Sequence, residues 1–214
     1  RQDNSLFKRH TDIASENKRS INVTTRMSPL VPQCRFLHDR MLQAAYQSLK
    51  ELERQQAHLS IGRLLLAHTE TDQLDLQLFM INEQLNQGRA LIERKAECIQ
   101  LAQLNFQAAE KAKQASVWEA AAQYASIGLT LLPKEPWRTQ YDLSLGLNNT
   151  LAECEYLQGH PEQSEVLYEL LLANTRYDVD KAQLCATRLV QSIGRGEWRK
   201  SVAFGVSGLE YLGI

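Results

Sequence analysis

The run that most invites a chemical reading is Gly194-Arg195-Gly196-Glu197-Trp198-Arg199-Lys200-Ser201, which has the outline of a phosphate-binding loop. That loop needs a glycine where Arg199 stands, because backbone amides must wrap the phosphates there, and a buried strand must come before it. Neither condition is met, so the run reads as a turn between two helices. Cys34 and His38 stand four apart and could supply two zinc ligands, but structural zinc takes four and no second pair lies near. His38 beside Asp39 suggests acid–base chemistry, yet neighbours on a helix point about 100° apart and no nucleophile accompanies them. Asp39 fits better as a carboxylate at a helix start, where the dipole favours it. The short basic pairs Lys111/Lys113 and Arg199/Lys200 read as solvated faces. Trp118, Trp137 and Trp198 fall at turn or repeat positions and read as packing residues. No nucleophile, base and orienting group can be assembled, so the chain is read as a non-enzyme with no catalytic residue, no metal site and no cofactor.

Side chains without chemistry of their own must serve a surface, and the composition says which elements build it. Gly (10) and Pro (5) are scarce, and Leu, Ala, Gln and Glu dominate, which favours helix over a turn-rich β architecture. A formal charge of −1 gives no reason to expect nucleic acid or an anionic membrane as partner. No apolar run approaches the roughly 18 residues of a membrane span, and the first residues do not form a signal peptide. Cys34, Cys98, Cys154 and Cys185 are widely separated, which reads as reduced, buried thiols in a cytoplasmic setting. The sequons at Asn22 and Asn148 have no secretory context around them. Beginning at Arg1, the chain is expected to be a piece of a longer protein.

Residues 1–33 are polar and mildly basic, with six Lys/Arg against three Asp/Glu, and offer too little apolar surface to offset ordering; they read as a linker. Residues 34–89 read as a helical segment with three amphipathic stripes. The first is Leu37, Met41, Ala45, Leu49 and Leu52. The second is Ala57, Ile61, Leu64 and Leu65. The third is Leu74, Leu78, Ile81 and Leu85, stopped by Asn86-Gln87-Gly88 as a helix C-cap.

Residues 90–214 read as about three helical hairpins. Ser116, Gly159 and Gly196 each open a turn, 43 and 37 residues apart. Two residues later comes a ring residue (Trp118, Pro161, Trp198), and five later a small one (Ala121, Ser164, Ser201). Eight later stand Tyr124, Leu167 and Phe204, and thirteen later Leu129, Leu172 and Leu209. Helices over roughly 95–114, 138–158 and 179–194 precede the turns, and Pro133, Pro136 and Trp137 mark the first inter-hairpin connection. This is the layout of tetratricopeptide (TPR)-type hairpins, which repeat nominally every 34 or so residues. The fold class is therefore all-α: TPR-like hairpin repeats, an α-solenoid, preceded by a small helical segment. With the first helix of each hairpin lining a groove, Gln103, Glu110, Lys113, Asn149, Glu153 and Gln183 are the expected partner-facing residues.

Many small matches in order carry a resemblance over residues 35–214. They begin with Arg35-Phe36-Leu37-His38-Asp39-Arg40-Met41-Leu42 and Ile61-Gly62-Arg63-Leu64-Leu65, and go on through Gln84-Leu85-Asn86-Gln87-Gly88 and Leu101-Ala102-Gln103-Leu104-Asn105. Gly128-Leu129-Thr130-Leu131-Leu132-Pro133, Ala152-Glu153, Tyr156-Leu157 and Gly159 complete them. The chain resembles the helical region that follows the AAA/STAND-type ATPase module in large Ser/Thr kinase–ATPase–GAF–histidine kinase signalling proteins. The resemblance implies a TPR-like bridge that relays signals between parts of one polypeptide or docks a regulator, with residues 34–89 like the end of the ATPase module. The expected function is a non-catalytic scaffold for protein–protein or interdomain contact; the alternative is an effector-sensing module that binds a small molecule between helices. The apolar run Leu209–Ile214 adds an expectation of self-association through the last repeat or of further repeats.

Overall fold

A computed structural model describes residues 39–70 and 73–214. Cys34, His38, the sequon at Asn22 and the linker read over 1–33 lie outside the described residues. Every described element is helical, so the chain is all-α. The helices are α1 (Asp39–Ser48), α2 (Glu51–His68), α3 (Leu74–Gln87), α4 (Lys95–Gln114), α5 (Trp118–Thr130), α6 (Pro136–Thr139), α7 (Tyr141–Leu157), α8 (Pro161–Asn174), α9 (Asp178–Gly194) and α10 (Trp198–Tyr211), with a 3-10 turn at Arg89–Leu91. Residues 46–214 form one compact unit, which holds everything described below.

The segment α2–α3 corrects two sequence readings. Leu52 belongs to α2 and not to the first stripe, because the helix breaks between Ser48 and Glu51. The stripe Ala57, Ile61 and Leu64 faces solvent; the buried face of α2 is Leu59 and Gly62, with Leu65 and Leu66 packed beside it. α2 is apolar on more than one side, and Gly62 decides which side α3 takes. A Cβ there would stand 2.6 Å from Leu85, so only glycine lets the two helices approach this closely. Gly88 is a second case. It ends α3 as expected, but with φ −97°, and its role is space, since a Cβ would meet Leu59 at 2.6 Å. On α3 the stripe Leu78, Ile81 and Leu85 is buried and packs on Leu101 and Leu104 of α4, so one core runs unbroken past residue 90.

From α4 onward the chain repeats a single unit. α4 and α5, α7 and α8, and α9 and α10 pack as antiparallel neighbours. All three turns close the same way. Ser116, Gly159 and Gly196 have φ of 59°, 86° and 73°. The following amides, of Val117, His160 and Glu197, donate back five residues to the carbonyls of Ala112, Glu155 and Ser192, each at 2.9 Å. This is the Schellman closure, and a residue with a Cβ in that conformation is strained, so Ser116 holds it at a cost that glycine avoids. The small residues five positions on are buried: Ala121, Ser164 and Ser201. Ser164 shows why size matters, its Oγ donating to the Ala152 carbonyl of the facing helix at 2.8 Å. Trp198 departs from its expected packing role; it is 66% exposed.

The hairpins are joined by seating the first helix of one on the second helix of the one before. α7 lies on α5 with Leu143, Leu147 and Leu151 against Ala122, Ala125 and Leu129. Leu147 rests on Gly128, where a Cβ would stand 2.7 Å away. α9 lies on α8 through Leu184, Leu171 and the buried Tyr168.

Candidate functional site

Four of the six expected groove residues meet at one place. Lys113 of α4 sends its Nζ to Glu110 at 2.8 Å and to Glu153 of α7 at 3.0 Å. Asn149 donates to Glu153 Oε1 at 2.7 Å, and Thr150 donates to Glu110 Oε1 at 2.6 Å. The helical spacing explains the grouping. Glu110 and Lys113 are three apart, and Asn149 and Glu153 four apart, so each pair shares a face of its helix. Gln103 and Gln183 do not join; each is exposed on its own helix.

Burial pulls the Lys113 ammonium down, but its hydrogen bonds and charge pairing with Glu110 and Glu153 outweigh this and hold it above the usual lysine value. One cation faces two carboxylates, and the Asn149 Oδ1 is buried without a donor among the described residues. Cys154, one turn along α7, is pushed up to about 11, chiefly by burial, so it stays a thiol at neutral pH. The cluster is thus suited to charge pairing and hydrogen bonding. Among the described residues no three His, Cys, Asp or Glu side chains gather as metal ligands.

Two further polar knots escaped the sequence reading. The Tyr141 hydroxyl donates to Asp180 at 2.8 Å and accepts from the Arg176 backbone amide at 3.2 Å, while the Arg176 guanidinium stacks 5.1 Å from the Tyr141 ring. Burial above all, and then the hydrogen bond to Asp180 and its charge, hold that phenol above its usual value against the opposing Arg176 amide. The other knot is Arg188, only 7% exposed, lying between the rings of Tyr168 (5.7 Å) and Phe204 (4.0 Å) and paired with Glu165 of α8. Gln191 adds a bond to the Tyr168 hydroxyl at 3.0 Å. One signal was present: Arg188 interrupts the buried stripe Leu184, Cys185 and Ser192 on α9. Tyr141 and Asp180 carried none, being joined only by the fold. The sequon at Asn148 is buried with Thr150, which removes it as a modification site.

Between α2, α3 and α4 a half-open cleft of about 510 Å³ is lined by Leu66, Leu85, Leu101 and Leu104. Arg63 and Glu97 close its rim through two hydrogen bonds of 2.6 and 2.9 Å.

The described helices make this an all-α protein, and one comparison points toward signalling proteins. The chain is 28% identical over 180 residues to hybrid signal transduction histidine kinase G of Dictyostelium discoideum, a match covering 73% of this chain and 5% of that protein. The chain is therefore similar to one small region of a much longer signalling protein. No protein-family model and no solved structure matches it. No helix among the described residues is long and apolar enough to cross a membrane.

Proposed function

We propose that this chain is a TPR-like helical-repeat scaffold, without catalysis of its own, that mediates protein–protein or interdomain contact in a cytoplasmic ATPase/kinase-type signalling protein. The observation that carries the reading is the threefold recurrence of one hairpin, with the same left-handed turn residue, the same back-bond and the same buried small residue each time. A unit of this kind is an array for presenting a surface, since each hairpin buries its face only against its neighbours. The similarity to a histidine kinase region supports the signalling context. The contact surface is centred on Glu110, Lys113, Asn149 and Glu153, where fixed charges and an unfilled acceptor converge on α4 and α7. A partner segment would bring donors to the two carboxylates.

The test uses the natural parent protein carrying the exchange Lys113→Glu with Glu153→Lys, which keeps the pair but reverses its field. Co-purifying proteins and the kinase and ATPase rates are compared with the unaltered parent. Loss of a partner or of regulation, with α-helix content and melting unchanged, is the expected result. Unchanged partners and unchanged regulation would remove this surface from the function.

A further inference from the structure

α5, α8 and α10 present the same seat. On and just after α5 it is Ala122, Ala125, Gly128, Leu129 and Leu132, and it carries α7. The residues 43 later, Glu165, Tyr168, Leu171, Leu172 and Thr175 on and just after α8, carry α9. The residues 80 later than the first set are Val202, Gly205, Gly208, Leu209 and Leu212. Among the described residues no third helix lies on this seat, although α9 already stands against its glycines, with Leu189 beside Gly205 and Cys185 beside Gly208: Val202 is 67% exposed and Leu209 49%. The glycines show the equivalence in ångströms. A Cβ at Gly128 would stand 3.5 Å from the Ala102 carbonyl, and one at Gly208 would stand 3.6 Å from the Ala182 carbonyl, again 80 residues on. At Gly128 the hollow is also filled by Leu147 of the seated helix; at Gly208 the contacts within 4 Å are Cys185 and Ala182 alone.

The neighbouring face says more about the occupant. Val190 and Ile193 on α9 stand where Glu110 and Lys113 stand on α4, and both are exposed, Val190 at 66%. The internal seat meets Thr150 and Glu153 of α7 there, whereas this one asks for apolar side chains. At the start of α10 Glu197 pairs with Arg195 at 2.8 Å and Lys200 at 3.0 Å, and a third cation, Arg199, stands two residues after it in the sequence. A helix lying antiparallel to α10, as α7 lies on α5, brings its C-terminal end to those cations, and that end carries partial negative charge.

We infer that α9 and α10 form a docking seat for an amphipathic partner helix with leucines at i, i+4 and i+8, further apolar residues at i+7 and i+10, and acidic residues in its last turn. The leucines take the places of Leu143, Leu147 and Leu151 over Val202, Gly208 and Leu209. The apolar residues at i+7 and i+10 cover Val190 and Ile193. The acidic end meets Arg195, Arg199 and Lys200. The seat continues the row of helix seats already filled on α5 and α8, and it is separate from the polar cluster on α4 and α7.

The probe is the full chain extended after Ile214 by a copy of residues 135–158 in which Thr150→Leu and Glu153→Leu have been made. Hydrogen exchange of the α10 amides should slow at least about tenfold relative to the unextended chain. The same extension with its Leu143, Leu147 and Leu151 copies changed to Ser should leave exchange as it was. Val202→Glu with Leu209→Glu, both at exposed positions, should abolish the protection while the hairpin stays folded. Unchanged exchange with the leucine extension would overturn the inference. So would a dimer of the unextended chain that V202E/L209E dissolves, because a second copy would then own the seat.

Discussion

The joint between α5 and α7 and the joint between α8 and α9 are the same joint built twice with different chemistry. Ala122 and Glu165 stand 43 residues apart, the spacing of Ser116 and Gly159; Leu151 and Arg188 stand 37 apart, the spacing of Gly159 and Gly196. In the first joint Leu151 packs among Ala121, Ala122 and Cys154. In the second Arg188 pairs with Glu165 at the equivalent place, and Gln191, the counterpart of Cys154, binds the Tyr168 hydroxyl. Small residues let the first pair of helices come close over most of their length, whereas α8 and α9 approach closely at few points and are held by long polar side chains. Geometry is therefore set by the repeat, and stiffness by what fills it. An apolar joint loses dispersion and hydrophobic free energy as soon as it opens, while a polar joint exchanges its partners for water at small net cost. On the proposed scaffold reading, such a yielding joint would let the third hairpin shift against the first two.

The largest effect should come from emptying the apolar joint. Leu147→Ala removes a fully buried side chain that rests on Gly128, and should cost about 3–4 kcal/mol in urea unfolding of the full chain. A cost below about 1 kcal/mol would mean that α7 does not depend on this seat. Next, importing the polar chemistry should damage the first joint. Ala122→Glu buries a carboxylate without a partner and should cost about 2–3 kcal/mol, with Leu151→Arg added on top returning at least about 1 kcal/mol of it. Absence of any coupling in that cycle would show that the two joints are not equivalent. The reverse exchange should be gentler, because Glu165 is half exposed. Glu165→Ala strands Arg188 and should cost about 1–2 kcal/mol, and Arg188→Leu in the same chain should restore or exceed the starting stability. Further loss on adding Arg188→Leu would instead make the pair stabilising in its own right.

The smallest effect distinguishes charged joints from apolar ones by acid. Hydrogen bonds from Arg63 are the main cause that holds the Glu97 carboxyl below its usual value of 4.5. A carboxyl lowered on folding lends stability that is present above about 4.5 and drains away as pH falls through its folded value. Between pH 5 and 3 the α2–α4 contact should therefore weaken by up to about 1 kcal/mol, while the leucine joint of α5 and α7 has no charge to lose. Arg63→Gln should flatten that slope in a pH series of melting curves; an identical slope would take the pair out of the account.

The turns were legible in the sequence because period and residue type coincide there. Ser116, Gly159 and Gly196 fall in register, and the φ each adopts is one that favours glycine. The helices before them were read to within about three residues: α4 and α9 each run up to one of these turns, while α7 was placed early because α6, only Pro136–Thr139, reads on into it. The face of α2 was not legible. Both Ala57/Ile61/Leu64 and Leu59/Gly62 are helical stripes, and the choice rests on Leu85 of another helix fitting against Gly62. The polar cluster was half legible, since Glu110, Lys113, Asn149 and Glu153 share faces by local spacing, but Thr150 enters only through the 40-residue contact with Glu110. Gln103 and Gln183 have the right spacing but stand exposed on their helices, outside the cluster. Arg188 could be noticed as a misfit but not explained, because Glu165, Tyr168 and Phe204 come from two other helices.

Native-state hydrogen exchange across the full chain tests the account most directly, since it reads each helix's opening separately. The expected result is a step: α4, α5 and α7 open together at the highest free energy, and α9 and α10 open before them. Glu165→Ala with Arg188→Leu should shrink that step. Uniform protection from α4 to α10, or a step that the double substitution leaves untouched, would contradict the claim that one repeated joint has been made stiff in one place and yielding in the next.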